Sequence, residues 1–342
     1  MNKKIYVLII ISLLLTGCSN FNTKTNNQSA NPEPISKSSF ILDTIVTIQI
    51  YDSQDEAILN NAIELIKEYD LIFSRTNEKS ELYRLNNGSL PNEGLGYTIS
   101  DELRHIMSLG IKYGELSNGY FDLTIAPILS LWDFKAENPV LPDEAELNKV
   151  IPLVDYRNMS LENNTLTFNQ EGMRVDLGGI AKGYIADRIK DYLLEQGVES
   201  AMINLGGNVL CVGNKPDGSP FNIGIQMPYA DRNETIAAME ISDMSVVSSG
   251  IYERYVTIDG KSYHHILDPY TGYPIDNSLI SVSIISPYSV DGDGLSTTTF
   301  ALGLEKGMDL VESIPNTHAI FITDDYKLHY TKGFKEAIKI IE

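Results

Sequence analysis

The chain has 342 residues, with 46 acidic and 26 basic side chains and a formal net charge of −20 spread along its length. That balance excludes nucleic acid and anionic lipid surfaces as broad electrostatic partners, and any anionic ligand needs cations gathered locally. Two cysteines, Cys18 and Cys211, leave no disulfide within the mature chain if Cys18 is modified.

Lys3 and Lys4 precede an apolar run from Ile5 to Leu15, which ends in Leu15-Thr16-Gly17-Cys18. A basic start, a short apolar stretch and small residues before a cut site predict a secretory signal, since the run is too short to span a bilayer. The Leu-Thr-Gly-Cys quartet resembles a bacterial lipobox, so residues 1–17 are expected to be removed and Cys18 to carry lipid. Residues 18–39 are rich in Asn, Ser, Thr and Pro and read as a flexible tether. The folded domain is expected over 40–342.

Phe40 to Tyr51 is β-branched and partly alternating, which predicts a strand. Asp55 to Phe73 carries Ile58, Leu59, Ala62, Ile63, Leu65, Ile66 and Tyr69 at helical spacing. A polar loop, Ser74 to Ser80, leads to a short helical stretch ending at Leu85-Asn86. Ser100 caps a further helix, with Leu103, Ile106, Met107 and Ile111 on one face and a break at Ser117-Asn118-Gly119. Gly119 to Pro127, followed by Leu131-Trp132-Asp133-Phe134, groups aromatics around Asp122. Core packing is the simpler reading, and a pocket for a flat ring the other.

The stretch Arg174 to Asp187 reads as a strand that turns sharply into a helix, with Asp176 at the strand's end, Gly178 and Gly179 in the bend and Lys182 in the first helical turn. Freed backbone amides at a helix start, glycines that let an anion approach and a lysine together make a phosphate-binding layout. G-x-G-x-x-G fails at Ile180, and a Walker loop fails at Tyr184. A turn that merely packs helix on sheet, with Lys182 solvated, is the alternative. Beyond Gln196 short strands follow at Met202–Leu205, Val209–Val212, Phe221–Ile225, Ile236–Ile241, Ser245–Ser248, Arg254–Ile258 and Leu279–Ile285. Cys211, flanked by Leu210 and Val212, reads as a buried small hydrophobe. Helices are expected at Asp293–Leu302 and Glu305–Ile314, and a last hairpin at His318–Thr323 and Lys327–Thr331. The fold class is α+β, helices packed on a largely antiparallel sheet.

Among the five histidines, His105, His318 and His329 read as structural or solvated. His264 and His265 precede an Asp268-Pro269 turn, and adjacent strand residues point to opposite faces, so one of the two at most faces a given pocket. An imidazole there suits general-base work. Asp291 to Leu302 fails as a calcium loop, because Leu295 and Leu302 stand where oxygen ligands are required. With a helix starting near Asp293, however, Asp293 and Thr297 share a face and offer a carboxylate and a hydroxyl to one hard cation, magnesium in character. The alternative is an Asp helix cap with a buried Thr behind it.

Together these pieces resemble the ApbE family, the FAD:protein FMN transferases. Phe73-Ser74-Arg75 through Ser80-Glu81-Leu82 and Leu85-Asn86 are similar to one family signature, and Gly119 to Asp122 with Pro127 and Leu131 to Phe134 to a second. Asp176 to Tyr184, Asn204 to Asn208, His265 to Gly272 and Asp291 to Thr297 follow in the family's order. The resemblance implies an ApbE-like, T-fold-like architecture and FAD contacts at Thr76, Tyr120, Phe121, Asp122, Asp176, Lys182 and Ile266. It implies magnesium on the Gly179 carbonyl, Asp293 and Thr297, and His265 as base. The implied activity is magnesium-dependent transfer of FMN from FAD to a Thr or Ser hydroxyl of an exported acceptor protein, with AMP released. The protein itself is then expected outside the cytoplasm, lipid-anchored to the cell membrane. Leu42 and Thr76 depart from the family, which frequently has Met at the first position and Tyr or Asn at the second. An FAD pyrophosphatase or a non-catalytic FAD-binding lipoprotein are the alternatives; a flavin carrier is disfavoured, because no S/T-G-A-S/T-T acceptor segment occurs.

Overall fold

A computed structural model describes residues 33–93 and 96–341. The expected signal segment and Cys18 lie outside the described residues. The chain opens with β1 (Ile35–Ile41) and β2 (Thr44–Ile50), then α1 (Glu56–Phe73), α2 (Glu81–Asn86), β3 (Asn92–Glu93) and β4 (Gly96–Thr98). There follow α3 (Asp101–Leu116), α4 (Ala126–Leu129), α5 (Glu144–Val150), β5 (Met159–Glu162), β6 (Thr165–Phe168) and α6 (Ala181–Glu195). The β-rich stretch holds β7 (Ala201–Leu205), β8 (Asn208–Val212), β9 (Phe221–Gln226), β10 (Thr235–Ile241), β11 (Ser245–Gly250), β12 (Tyr255–Ile258), β13 (Lys261–His264) and β14 (Leu279–Ser286). Last come α7 (Ser289–Leu302), α8 (Leu304–Glu312), β15 (His318–Thr323), β16 (Leu328–Tyr330), α9 (Phe334–Ala337) and β17 (Ile340–Ile341).

An eight-stranded antiparallel sheet, ordered β1-β2-β7-β8-β11-β14-β15-β16, organises the fold without closing into a barrel. Every residue of β14 is buried, because both faces of the sheet are covered. Val282 and Ile284 join the main core with the buried faces of α1, α3, α6 and α7. Ile285 belongs to a second core with Phe221, Ile223 and Met239 of the β17-β10-β9 sheet and with Phe334 of α9. Cys211 is fully buried in that second core, as its apolar flanks predict. Alternation along one central strand thus feeds two cores.

The helices with local start signals form where expected. Asp55 accepts the Ala57 amide at 2.9 Å ahead of α1, and Ser100 accepts that of Leu103 at 3.2 Å ahead of α3. Three expectations are corrected. The strand foreseen over 40–51 is a hairpin whose turn residues, Leu42 and Asp43, have φ of 58° and 59°. Strand β1 therefore begins at Ile35, inside the stretch read as tether. Arg174 makes a single parallel bridge to Ile125 rather than a strand, and the Asp176 amide donates to the Leu123 carbonyl at 2.8 Å. Finally, α7 starts at Ser289, four residues before the expected Asp293 start. Its cap comes from α6, where Asp187 accepts the amides of Ser289 and Val290 at 2.8 and 2.9 Å.

Helices α6 and α7 cross at Gly183. A Cβ there would lie 2.2 Å from the Ser289 carbonyl oxygen, so only glycine permits the approach. Among the described residues no helix is long and apolar enough to cross a membrane.

Candidate active site

The turn into α6 is held from two sides. Asn86, closing α2, donates its amide to the Val175 carbonyl at 2.8 Å and accepts the Val175 amide at 2.7 Å, which fixes the chain just before Asp176. One Asp176 carboxylate oxygen accepts the Gly178 amide at 2.8 Å, and the other accepts Arg75 Nε at 2.7 Å. Thr76, next to Arg75, is exposed, with its hydroxyl 3.5 Å from that of Ser74. The residue at the start of α6, Ile180, offers no side-chain cap of its own. Among the helix's first amides, that of Ala181 donates to the Leu177 carbonyl at 2.8 Å and that of Tyr184 to the Ile180 carbonyl at 3.1 Å, so the Lys182 ammonium is the group at this helix start left to meet an anion.

One amide is committed elsewhere. Gly183 N donates to Asp293 Oδ2 at 2.7 Å rather than to the carbonyl four residues back, and among the described residues the Gly179 carbonyl accepts no hydrogen bond. Asp293 is only 6 % exposed. Burial pushes its carboxyl pKa up, while the Lys182 charge and the Gly183 amide pull it down. The Asp-cap reading is thus excluded, because Asp293 lies in the second turn of α7. Thr297, one turn on, has its hydroxyl 3.3 Å from that of Ser249. A Cβ built on Gly179 would fall 3.8 Å from Thr297 Oγ1 and 3.0 Å from the Phe121 ring, so Gly179, Phe121 and Thr297 meet at one point.

A carboxylate, a hydroxyl and a free main-chain carbonyl form a small set of hard oxygen donors. That chemistry fits magnesium and suits neither zinc nor copper. Among the described residues no cluster of three or more His, Cys, Asp or Glu could hold a metal, so an ion here would be completed by water or phosphate oxygens.

His265 lies one residue past β13, outside the strand in which the sequence placed it. Its amide and its Nδ1 both sit 3.1 Å from the Arg254 carbonyl oxygen. A carbonyl can only accept, so Nδ1 carries the proton and the neutral ring presents its lone pair at Nε2. Burial lowers the His265 pKa to about 4, with the charges of Arg254, His264 and Lys182 acting in the same direction. The Lys182 charge acts on both groups, favouring the ionised Asp293 carboxylate and the neutral His265 ring. His264 differs: Nε2 donates to the Ile275 carbonyl at 3.0 Å and Nδ1 accepts the Ile266 amide at 3.3 Å. Both of its nitrogens are engaged in holding the loop.

The remaining expected contacts take varied roles. Ile266 is buried, and its carbonyl accepts the Ile275 amide at 2.9 Å. Asp122 directs its carboxylate into its own loop, accepting from the Thr124 amide and hydroxyl at 2.7 and 2.6 Å and from the Tyr156 amide at 2.8 Å. Phe121 packs edge-on to Tyr113, and Tyr120 edge-on to the exposed Tyr270. Trp132 is core, as the simpler reading had it: its indole donates to the Gly272 carbonyl at 2.8 Å and props the turn behind His265. Sequence reasoning gave no role to Arg75, Asn86, Asp187, Ser249 or Arg254. Only Asn86 and Arg75, inside a quoted motif, carried any signal.

The sequence profile of the ApbE family matches residues 42–321. The chain belongs to the ApbE family. An FAD:protein FMN transferase of Klebsiella pneumoniae is 37% identical over 290 residues, covering 84% of this chain and 89% of that protein. The crystal structure of the Thermotoga maritima ApbE protein superposes with a TM-score of 0.80 at 30% identity, covering 89% of this chain and 99% of that one. The flavin transferase ApbE of Vibrio cholerae gives 0.79 at 29% identity, with coverage of 89% and 99%. This ApbE chain is a transferase acting on flavin, and its antiparallel sheet with packed helices is the ApbE fold.

Proposed function

We propose that this ApbE protein transfers the FMN half of FAD to a Thr or Ser hydroxyl of an exported acceptor protein and releases AMP. The observation that carries the reading is His265, held by the Arg254 carbonyl with an unprotonated Nε2, in electrostatic reach of the same lysine that flanks Asp293. The acceptor oxygen attacks the FMN-side phosphorus, and the bond from that phosphorus to the bridging oxygen breaks. Nε2 takes the hydroxyl proton, and AMP departs with the bridging oxygen. Lys182, in the first turn of α6, receives the pyrophosphate. Gly179, Asp293 and Thr297 would hold magnesium, which when bound neutralises phosphate charge. Such local neutralisation matters in a chain of net charge −20.

Our reading of the N-terminus places the enzyme outside the cytoplasm, anchored by lipid on Cys18, where exported acceptors are met. Mixing the purified protein with FAD, magnesium and an acceptor bearing a flavinylation segment tests the reaction. Fluorescent acceptor plus AMP is expected. AMP with free FMN alone makes the protein a pyrophosphatase, and neither product makes it a binder; both results overturn the reading.

A further inference from the structure

We propose that the Arg254 guanidinium is a further catalytic group, gripping the non-bridging oxygens of the phosphorus under attack while His265 takes the acceptor's proton. The proposal rests on the transfer reaction given above.

The geometry begins with the β12–β13 ribbon. Tyr255 pairs with His264, and the ribbon is prolonged by one step where the Arg254 carbonyl accepts from His265. Residues facing each other across an antiparallel ribbon share a face, and the next pair along uses the opposite one. Arg254 and His265 are therefore on one side, with Tyr255 and His264 on the other. The Arg254 side chain is exposed. Among the described residues no carboxylate lies within ion-pair distance of it, nor of Arg84, Arg174 and Arg232, whereas Arg75, Arg104, Arg157 and Arg188 each have one. Of these four unpaired arginines, Arg254 is the one whose main chain His265 bonds, which sets a free cation beside the base.

Phosphate is the ligand whose chemistry fits. Arginine presents a planar fork that pairs with two phosphate oxygens, whereas Lys182 supplies a point charge. In the transfer step charge grows on the non-bridging oxygens as the acceptor O–P bond forms and the bridging P–O bond breaks. A guanidinium on the His265 side meets that charge where the proton leaves.

The test uses Arg254→Ala and Arg254→Lys in the full-length protein. Either variant keeps the main-chain carbonyl that orients His265, so the side chain alone is probed, and thermal unfolding checks the fold. With FAD, magnesium and acceptor, Arg254→Ala is expected to lose about a hundredfold or more in kcat, as loss of one charge-stabilising donor does. The loss should be the same at every pH between about 6 and 9, FAD affinity should change far less than kcat, and Arg254→Lys should recover part of the rate. Near-normal turnover in Arg254→Ala overturns the proposal. So does a loss that vanishes at high pH, which would reduce Arg254 to an electrostatic influence on His265. If the unsubstituted protein gives only AMP and free FMN, the transfer reading itself falls, and this proposal with it.

Discussion

The Gly183 amide donates to the Asp293 carboxylate at 2.7 Å, so the first turn of α6 and the second turn of α7 are joined at the point proposed for phosphate and metal. Asp293 is thus both a candidate ligand and a structural partner. Asp293→Ala is expected to abolish flavin transfer and also to cost about 1–3 kcal/mol of stability, because a buried amide loses its acceptor. Asp293→Asn, which can still accept that amide, should regain much of the stability and none of the activity. Urea unfolding alongside an acceptor assay separates the two. Full activity of either variant in excess chelator would remove the metal reading.

The two histidines should part company. His265→Ala is expected to lose a factor of about a hundred to ten thousand in transfer rate, the usual cost of removing a general base, while FAD still binds through Lys182 and the α6 turn. His264→Ala should lower the melting temperature, since both of its nitrogens hold loop backbone, and change the rate far less. Rates and FAD dissociation constants for the pair decide the matter; equal losses in both would sink the assignment.

Acid should spare catalysis longer than an ordinary histidine allows. With the His265 pKa lowered to about 4, Nε2 stays unprotonated as pH falls through 6.5, and kcat/KM should decline only near 4. Folding follows the same sign. Between those values the unfolded chain binds the proton and the native one does not, so this residue's contribution to stability is lost as pH falls through the window. A rate profile with its acid limb at 6.5, in protein shown to remain folded, contradicts the assignment.

Cys18→Ala should free the protein from the membrane, because lipid on that thiol is the proposed anchor. Fractionating cells that express each form gives the answer. A variant still fully membrane-bound after its signal has been removed defeats the anchor.

How much of this was legible in the sequence depended on whether the cause was local. Helices α1 and α3 could be read because Asp55 and Ser100 sit beside what they cap and the apolar spacing follows. The start of α7 could not, since its cap, Asp187, lies 102 residues from Ser289 in sequence. The β1–β2 turn escaped because Leu42 adopts a left-handed conformation that leucine seldom takes, without the Asn-Gly signal that marks such turns. In the site, strand alternation separated His264 from His265, yet the proton's place on Nδ1 depends on the Arg254 carbonyl across the ribbon. The pairing of Asp293 with Thr297 followed from helical spacing; the burial of Asp293 against α6 did not.

The crossing at Gly183, too close for even a methyl group between the helices, leaves this protein no hinge between the turn proposed to meet phosphate and the helix that carries Asp293 and Thr297. The cradle is cast before FAD arrives. What must settle into place on binding is the dinucleotide, whose many rotatable bonds carry the ordering cost, while the protein contributes a shape already set. On the proposed reaction, discrimination among acceptor proteins then falls to the edge of the cradle around His265, where the acceptor hydroxyl would meet its base.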